Sequence, residues 1–317
     1  MDIIIVCHTE FGFVDRKRVI PEKNALAGVS KGVFNLIRVA DKYGAKISFA
    51  VCPEVVKHFP RNINHEIGLH VHPGWQEFVD SGIKFYVGDK YLKENCKQSS
   101  SSTVLWDYSY EEQSDMIKSG KEYLIEELNI TPKFFVAGRW CLNNDTVKAL
   151  VANGFTHDCS ASAGLSNDHM DWSRLSRICA PYNPSIDDYQ AIGNQPLLIV
   201  PISQCFRIGS MNPELIPLIG LNWLKACFTE YYNQGAPLFH ICLHSPSMTD
   251  EYFISGMEKL LSFISKHKNI NFKFVSEIKK YPEQNFKPDL FPYILAINKN
   301  ILTTFIRHKI LKNKKDA

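Results

Sequence analysis

The chain has 317 residues, 45% of them hydrophobic, enough to bury a large core as one barrel-sized domain or two smaller ones. Its 36 basic and 33 acidic side chains leave a net charge of +3. That balance, with no basic run interleaved with aromatics, argues against nucleic acid as a partner. Nine cysteines form no Cys-x-x-Cys pair, and Cys7, Cys52, Cys159 and Cys242 fall in or beside apolar runs. There a thiol behaves as a small hydrophobe, and the expected setting is a reducing cytoplasm. No basic leader precedes Asp2-Ile3-Ile4-Ile5-Val6-Cys7, and no apolar run approaches the length of a membrane span, so secretion and membrane spanning are not expected.

Short apolar runs at residues 2–7, 46–51, 66–71, 133–136, 155–159, 197–202, 238–243 and 271–275 predict strands. Helical periodicity lies between most of them. Over residues 24–43, Leu26, Val29, Val33, Leu36, Ala40 and Tyr43 recur every three or four positions, and Gly44 follows as a left-handed cap. Residues 111–128, 144–153 (ended by Gly154), 212–233 and 251–268 read the same way. The alternation predicts an α/β fold with a parallel sheet, open or closed into a barrel. Residues 73–110, with the run Gln98-Ser99-Ser100-Ser101-Ser102-Thr103, and residues 160–196 lack periodicity and read as long excursions, the first as an exposed loop.

Unusual polar residues collect at the ends of these strands. His8 and Glu10 follow the first, His70 and His72 end the third, Arg139 follows the fourth, Asp158 ends the fifth, and His244 follows Leu238-Phe239-His240-Ile241-Cys242-Leu243. In parallel α/β folds ligands gather at the carboxyl edge, so these residues share one rim. A strand sends residues i and i+2 to one face, which lets His70 and His72 converge on one ion; the plainer alternative is strand-end histidines bonded to backbone or water.

His65-Glu66-Ile67-Gly68-Leu69-His70, Phe135-Val136-Ala137-Gly138-Arg139-Trp140, Asp168-His169-Met170-Asp171-Trp172, Ile241-Cys242-Leu243-His244 and Phe272-Lys273-Phe274-Val275-Ser276-Glu277 follow one another in an order that resembles the polysaccharide deacetylase family (NodB-homology domain, carbohydrate esterase family 4) over residues 1–281. The resemblance implies a distorted (β/α) barrel of seven or fewer strands, a single domain with a C-terminal helical extension. It also implies hydrolysis of an N- or O-acyl group on a sugar with a bound divalent metal. Two departures stand out. The family's paired aspartates are replaced by Cys7-His8-Thr9-Glu10, a form similar to a divergent branch tied to bacterial surface polysaccharide (lipopolysaccharide) biosynthesis. The family's second histidine position is Gly74.

On that resemblance Glu10, His70 and His72 hold the metal. Two histidines and a carboxylate suit zinc with an open position, and also iron, nickel or cobalt. His8 takes the place of the base, His244 is the acid with Asp171 orienting it, and Arg139 pairs with the first motif or with substrate. Trp75, Trp140 and Trp172 are candidate platforms for a carbohydrate, free, nucleotide-linked or lipid-linked. A non-catalytic carbohydrate-binding protein and an amidohydrolase of a non-sugar amide remain the alternatives. Residues 282–317 stand apart. Phe291, Ile294, Leu295, Ile301, Leu302, Phe305, Ile306 and Ile310 repeat over residues 291–311, and Arg307, Lys309, Lys312, Lys314 and Lys315 crowd the end. That predicts an amphipathic basic helix and tail, either docked on the domain or touching the inner membrane face.

Overall fold

The computed structural model describes residues 1–304 and 306, except 207 and 283. Its main elements are β1 (Asp2–Thr9), α1 (Val33–Asp41), β2 (Ser48–Val51), β3 (Glu66–Val71), α2 (Tyr110–Leu128), β4 (Phe134–Ala137), α3 (Asn144–Ala152), β5 (His157–Asp158), β6 (Leu198–Ile199), α4 (Leu221–Asn233), β7 (Leu238–His244), α5 (Glu251–Ile264) and β8 (Asn271–Phe272). The order β6-β5-β4-β3-β2-β1-β7 is parallel throughout, and β8 joins the start of β1. The eight apolar runs are thus the strands. Loop backbone bridges the gap between β6 and β7: Ser203 N–H donates to His240 O at 3.2 Å and Cys242 N–H to Met211 O at 3.0 Å.

Side-chain alternation sorts the core into two layers. Ile3, Ile5, Cys7, Leu69, Val71, Phe239, Ile241 and Leu243 pack outward beneath the helices. Ile4, Val6, Phe134, Val136, Val200 and Leu238 point inward and fill the barrel. At Gly68 an added Cβ would lie 2.4 Å from the Phe134 ring, so the smallest residue on the inner face of β3 makes room for the largest. His8, His70 and His244 have the inward parity of these residues and occupy its carboxyl end.

Helix ends follow the local chemistry. Gly44 and Gly154 sit at φ +62° and +72°, and Ser109 with Glu112 forms a capping box on α2. The predicted helix over 212–233 is interrupted at Gly220 (φ +80°), where α4 begins. Residues 73–110 are not simply an exposed loop: they contain an antiparallel hairpin, Trp75–Asp80 with Ile83–Gly88, and a short helix, Lys90–Asn95. The predicted helix over 291–311 is a short one, Phe291–Leu295, then a break, then helical residues 299–304; Phe305, Arg307, Lys309, Ile310, Lys312, Lys314 and Lys315 lie outside the described residues. Among the described residues no helix is long and apolar enough to cross a membrane. All nine cysteines are free thiols.

Candidate active site

The carboxyl rim brings together Glu10 after β1, Cys52 after β2, His70 and His72 at the end of β3, Arg139 and Trp140 after β4, and His244 at the end of β7. His8 is central. Its ring lies 4.8 Å from those of both His70 and His244, and the His70 and His72 rings are 5.1 Å apart. A cavity of about 310 Å³ opens over this group, lined by His8, Glu10, His72, Arg139, Trp140 and His244 and walled by Phe78, Phe85 and Val87 of the hairpin.

The protonation pattern follows from the partners. His70 Nδ1 lies 3.0 Å from Val136 O. A carbonyl only accepts, so Nδ1 carries the proton and Nε2 keeps its lone pair, the arrangement a metal-binding imidazole uses. That Nε2 is buried without a partner, as are His8 Nε2 and His72 Nδ1, and unpaired buried polar atoms are rare enough to point to a missing ligand. Burial holds His70 down at about 4 and, with the neighbouring imidazoles, holds His8 and His72 well below their ordinary value. All three are neutral at physiological pH. Burial likewise pushes Glu10 up, against the pull of His244.

His244 has the opposite character. Its Nδ1 donates to Glu214 Oε2 at 2.8 Å and its backbone N–H to Glu214 Oε1 at 2.7 Å. Burial disfavours its charge, but the Glu214 carboxylate outweighs burial and pushes the imidazole up to about 9. Glu214 stays below the usual carboxylate range despite its own burial, because His244 faces it. The rim thus holds a neutral histidine group and, beside His8, a charged one.

Glu10, Cys52 and His70 present donor atoms all within 4.8 Å of one another, with Glu10 Oε2 and His70 Nε2 4.0 Å apart. Donors bonded to one ion at about 2.0–2.3 Å stand about 3–4.6 Å apart, so this set fits a zinc-sized ion after slight contraction. Cys52, read from sequence as a hydrophobe, belongs to this set; His72 falls outside it. Its ring instead lies against Gly138, where an added Cβ would come within 2.5 Å of it. Gly74, where the sequence resemblance places a second histidine, is glycine for a steric reason. Gly74 sits at φ +69°, and a Cβ there would meet the Ser102 and Ser101 carbonyl oxygens at 2.1 and 2.4 Å. No histidine fits at that position.

The segment Gly138-Arg139-Trp140 turns sharply, with Arg139 and Trp140 both left-handed at φ 57° and 55°, a conformation costing a non-glycine residue about 1–3 kcal/mol. Three contacts hold it: Cys141 N–H to Gly138 O, Arg139 Nε to Thr103 Oγ1 at 2.8 Å and Trp172 Nε1 to Trp140 O at 2.8 Å. Arg139 also lies over the Phe78 ring at 5.2 Å. The serine-rich loop therefore buttresses the rim through Thr103.

Two assignments require correction. Asp171 does not orient His244; its carboxylate accepts from Ser173 N–H and Oγ–H, and Glu214 holds the histidine instead. Trp172 is 0% exposed and so offers no face to a sugar; its ring is core and its N–H supports Trp140. Trp140 does line the cavity, while Trp75 stacks on Tyr86 at 5.2 Å in a cleft beside Glu10 and Cys52. Asp158 is buried against Ser160.

Compared with known proteins, the chain matches no family model and no curated protein. Solved structures do resemble it. A putative polysaccharide deacetylase from Mycobacterium smegmatis superposes with a TM-score of 0.54 at 15% identity, over 90% of this chain and 95% of that one. A probable polysaccharide deacetylase from Pseudomonas aeruginosa PAO1 gives 0.57 at 14%, over 87% and 88%. The fold is a NodB-type (β/α) barrel. The Puue allantoinase, at 0.56 and 14% over 87% and 88%, shares it. At these identities the likeness concerns the fold alone.

Proposed function

We propose that the protein is a metal-dependent deacylase that cleaves an amide on an amino sugar destined for a bacterial surface polysaccharide. The observation that carries this reading is the proximity, at one rim, of a donor set with an orphaned His70 Nε2 to the charged His244–Glu214 pair, with the His8 ring 4.8 Å from those of both His70 and His244. Hydrolysis needs an activated water on one side of the acyl carbon and a proton for the leaving nitrogen on the other.

Glu10, His70 and Cys52 would hold the ion, zinc by preference for the mixed donors, with His72 next to them. When bound, the metal acidifies water and polarises the acyl oxygen. The chain's own residues do the rest. His8, kept neutral by burial, accepts a hydrogen bond from the incoming water. Arg139, anchored through Nε on Thr103, presents positive charge towards the oxygen that gains charge. His244 delivers its Nε2 proton to the departing amine, and Glu214 keeps that proton in place until it is needed. Phe78, Phe85, Val87 and Trp140 exclude water around the acyl group.

A second reading, hydrolysis of a non-sugar amide, draws support from the fold likeness to an allantoinase. The test is elemental analysis of the untagged protein followed by a panel of N-acylated amino sugars and small linear and cyclic amides. Stoichiometric metal and acyl release from the sugars are expected. Turnover of only the non-sugar amides selects the second reading, and a metal-free, inactive chain removes both. His70→Ala and Cys52→Ala should each lose the ion, because a lost donor cannot be restored by its surroundings. Retention of metal by Cys52→Ala with loss in His72→Ala gives the third position to His72.

A further inference from the structure

Large exposed apolar side chains at Phe34, Val79, Ile125, Ile186 and Ile192 are scattered over the surface, as on most proteins. The segment after the barrel differs. Phe291, Ile294, Leu295, Ile297, Leu302 and Ile306 are each between 52% and 73% exposed within sixteen residues of chain. This is not a detached tail. Tyr293, Ala296 and Ile301 of the same segment are buried at 2%, 7% and 1%. Tyr293 Oη–H donates to Glu230 Oε2 at 2.8 Å, Asn298 Nδ2 to Ile219 O at 2.9 Å and Thr304 Oγ1 to Leu218 O at 2.8 Å. One side of the segment is pinned to the domain and the other is an apolar face held towards solvent.

The spacing is helical on both pieces. Phe291, Ile294 and Leu295 stand at i, i+3 and i+4, and Lys299, Leu302 and Ile306 at i, i+3 and i+7. Exposed Lys299 flanks this face, and the sequence beyond it supplies Arg307, Lys309, Lys312, Lys314 and Lys315 against one acid, Asp316. An apolar face with basic residues following it in the sequence carries the two signals that together give firm attachment to a lipid surface, burial in the acyl boundary and attraction to anionic headgroups. A second copy of the chain, which a two-fold contact would pair with this same face, is the outcome the test below separates from lipid.

We infer that this face docks on an anionic lipid bilayer, which makes the protein a peripheral membrane protein whose barrel works at the surface. The inference is independent of the reaction proposed above. The test is sedimentation of the full chain with vesicles of phosphatidylcholine alone or mixed with phosphatidylglycerol, at low and high salt. Binding to the mixed vesicles, weakened by salt, is expected. Lys312→Ala/Lys314→Ala/Lys315→Ala should lower the partition roughly 100-fold at low salt, and Phe291→Ser/Ile294→Ser/Leu295→Ser should abolish it without lowering Tm, since those side chains are outward. No binding to either vesicle, or equal binding to both with no effect of the lysine substitutions, overturns the inference. So does a concentration-dependent dimer that the serine substitutions dissociate in the absence of vesicle binding.

Discussion

Replacing Glu214 by Gln isolates the charge that makes His244 an acid. Gln keeps an oxygen for the imidazole Nδ1–H and nearly the same volume, but removes the carboxylate that outweighs burial. The wild-type imidazole, pushed up to about 9, is almost wholly cationic at neutral pH. With the carboxylate gone, burial dominates and the pKa falls to the ordinary 6.5 or below, a loss of about 3 kcal/mol of preference for the charged form. At about pH 7.5 at most about one tenth of His244 then carries its proton, so amide hydrolysis falls by roughly ten-fold or more, and the gap narrows as pH falls through the variant's lowered pKa. Stability moves in the same sense. A histidine whose folded pKa is raised contributes stability that is fully present below 6.5 and is lost as pH rises through about 9, so Glu214→Gln is destabilising at pH 7 and nearly neutral at pH 10. The direct assay is an NMR titration of labelled histidine with His244→Ala as the assignment control, which needs no substrate. A His244 that titrates near 6.5 in the wild type, or one unmoved in Glu214→Gln, would refute the reasoning.

Gly138→Ala puts a methyl 2.5 Å from the His72 ring; it should displace that ring and cut activity at least ten-fold while the far-ultraviolet spectrum stays native, and an unchanged kcat would show that the position of His72 is immaterial. Trp172→Ala should cost about 3–5 kcal/mol as a buried large-to-small change, whereas Trp140→Ala, at the cavity wall, should raise KM with a smaller change in Tm; equal denaturation midpoints would contradict the separation of core from wall. Burial pushes Asp158 up to about 7 against the pull of its hydrogen bonds from Ser160, so the stability of the wild type drains away as pH climbs from the carboxylate range to about 7. Asp158→Asn should therefore gain relative to wild type between about pH 4 and pH 8, approaching about 4 kcal/mol in the limit; a gain independent of pH in thermal melts would exclude the charge as its cause.

The eight strands were legible because each inner and outer face of a parallel barrel is buried, which turns strands such as Asp2-Ile3-Ile4-Ile5-Val6-Cys7 into continuous apolar runs. The hairpin over residues 75–88 was not. Its strand Trp75-Gln76-Glu77-Phe78-Val79-Asp80 mixes apolar and polar residues on both faces, because one side covers a cavity and the other meets water; its one local signal is the Ser81-Gly82 turn, with both residues at positive φ. Cys52 was hidden for a related reason, since a thiol after the strand Ser48–Val51 looks the same whether it packs or binds. Glu214 carries no periodic signature. It reaches His244 through a turn in which Asn212 Oδ1 accepts from Glu214 N–H, and nothing in the spacing distinguishes it from any loop carboxylate.

The same physics explains why the rim was readable and its geometry was not. Within a strand, parity decides direction, so His8 follows Ile4 and Val6 into the barrel, His70 follows Gly68, and His244 follows Leu238. Past the last paired residue that rule lapses. Glu10 and His72 lie one residue beyond Thr9 and Val71, where direction is set by what the departing chain packs against. For His72 that neighbour is Gly138, and the path of residues 73–75 is fixed by the carbonyls of Ser101 and Ser102 above Gly74. A shift of one side chain by a few ångströms there is enough to leave Cys52, and not His72, among the donor atoms grouped with Glu10 and His70. Strand parity therefore identifies His8, His70 and His244 as meeting at the rim, and the non-local packing of Gly138 against His72 and of Gly74 against a serine-rich loop sets where the side chains beyond the strands point.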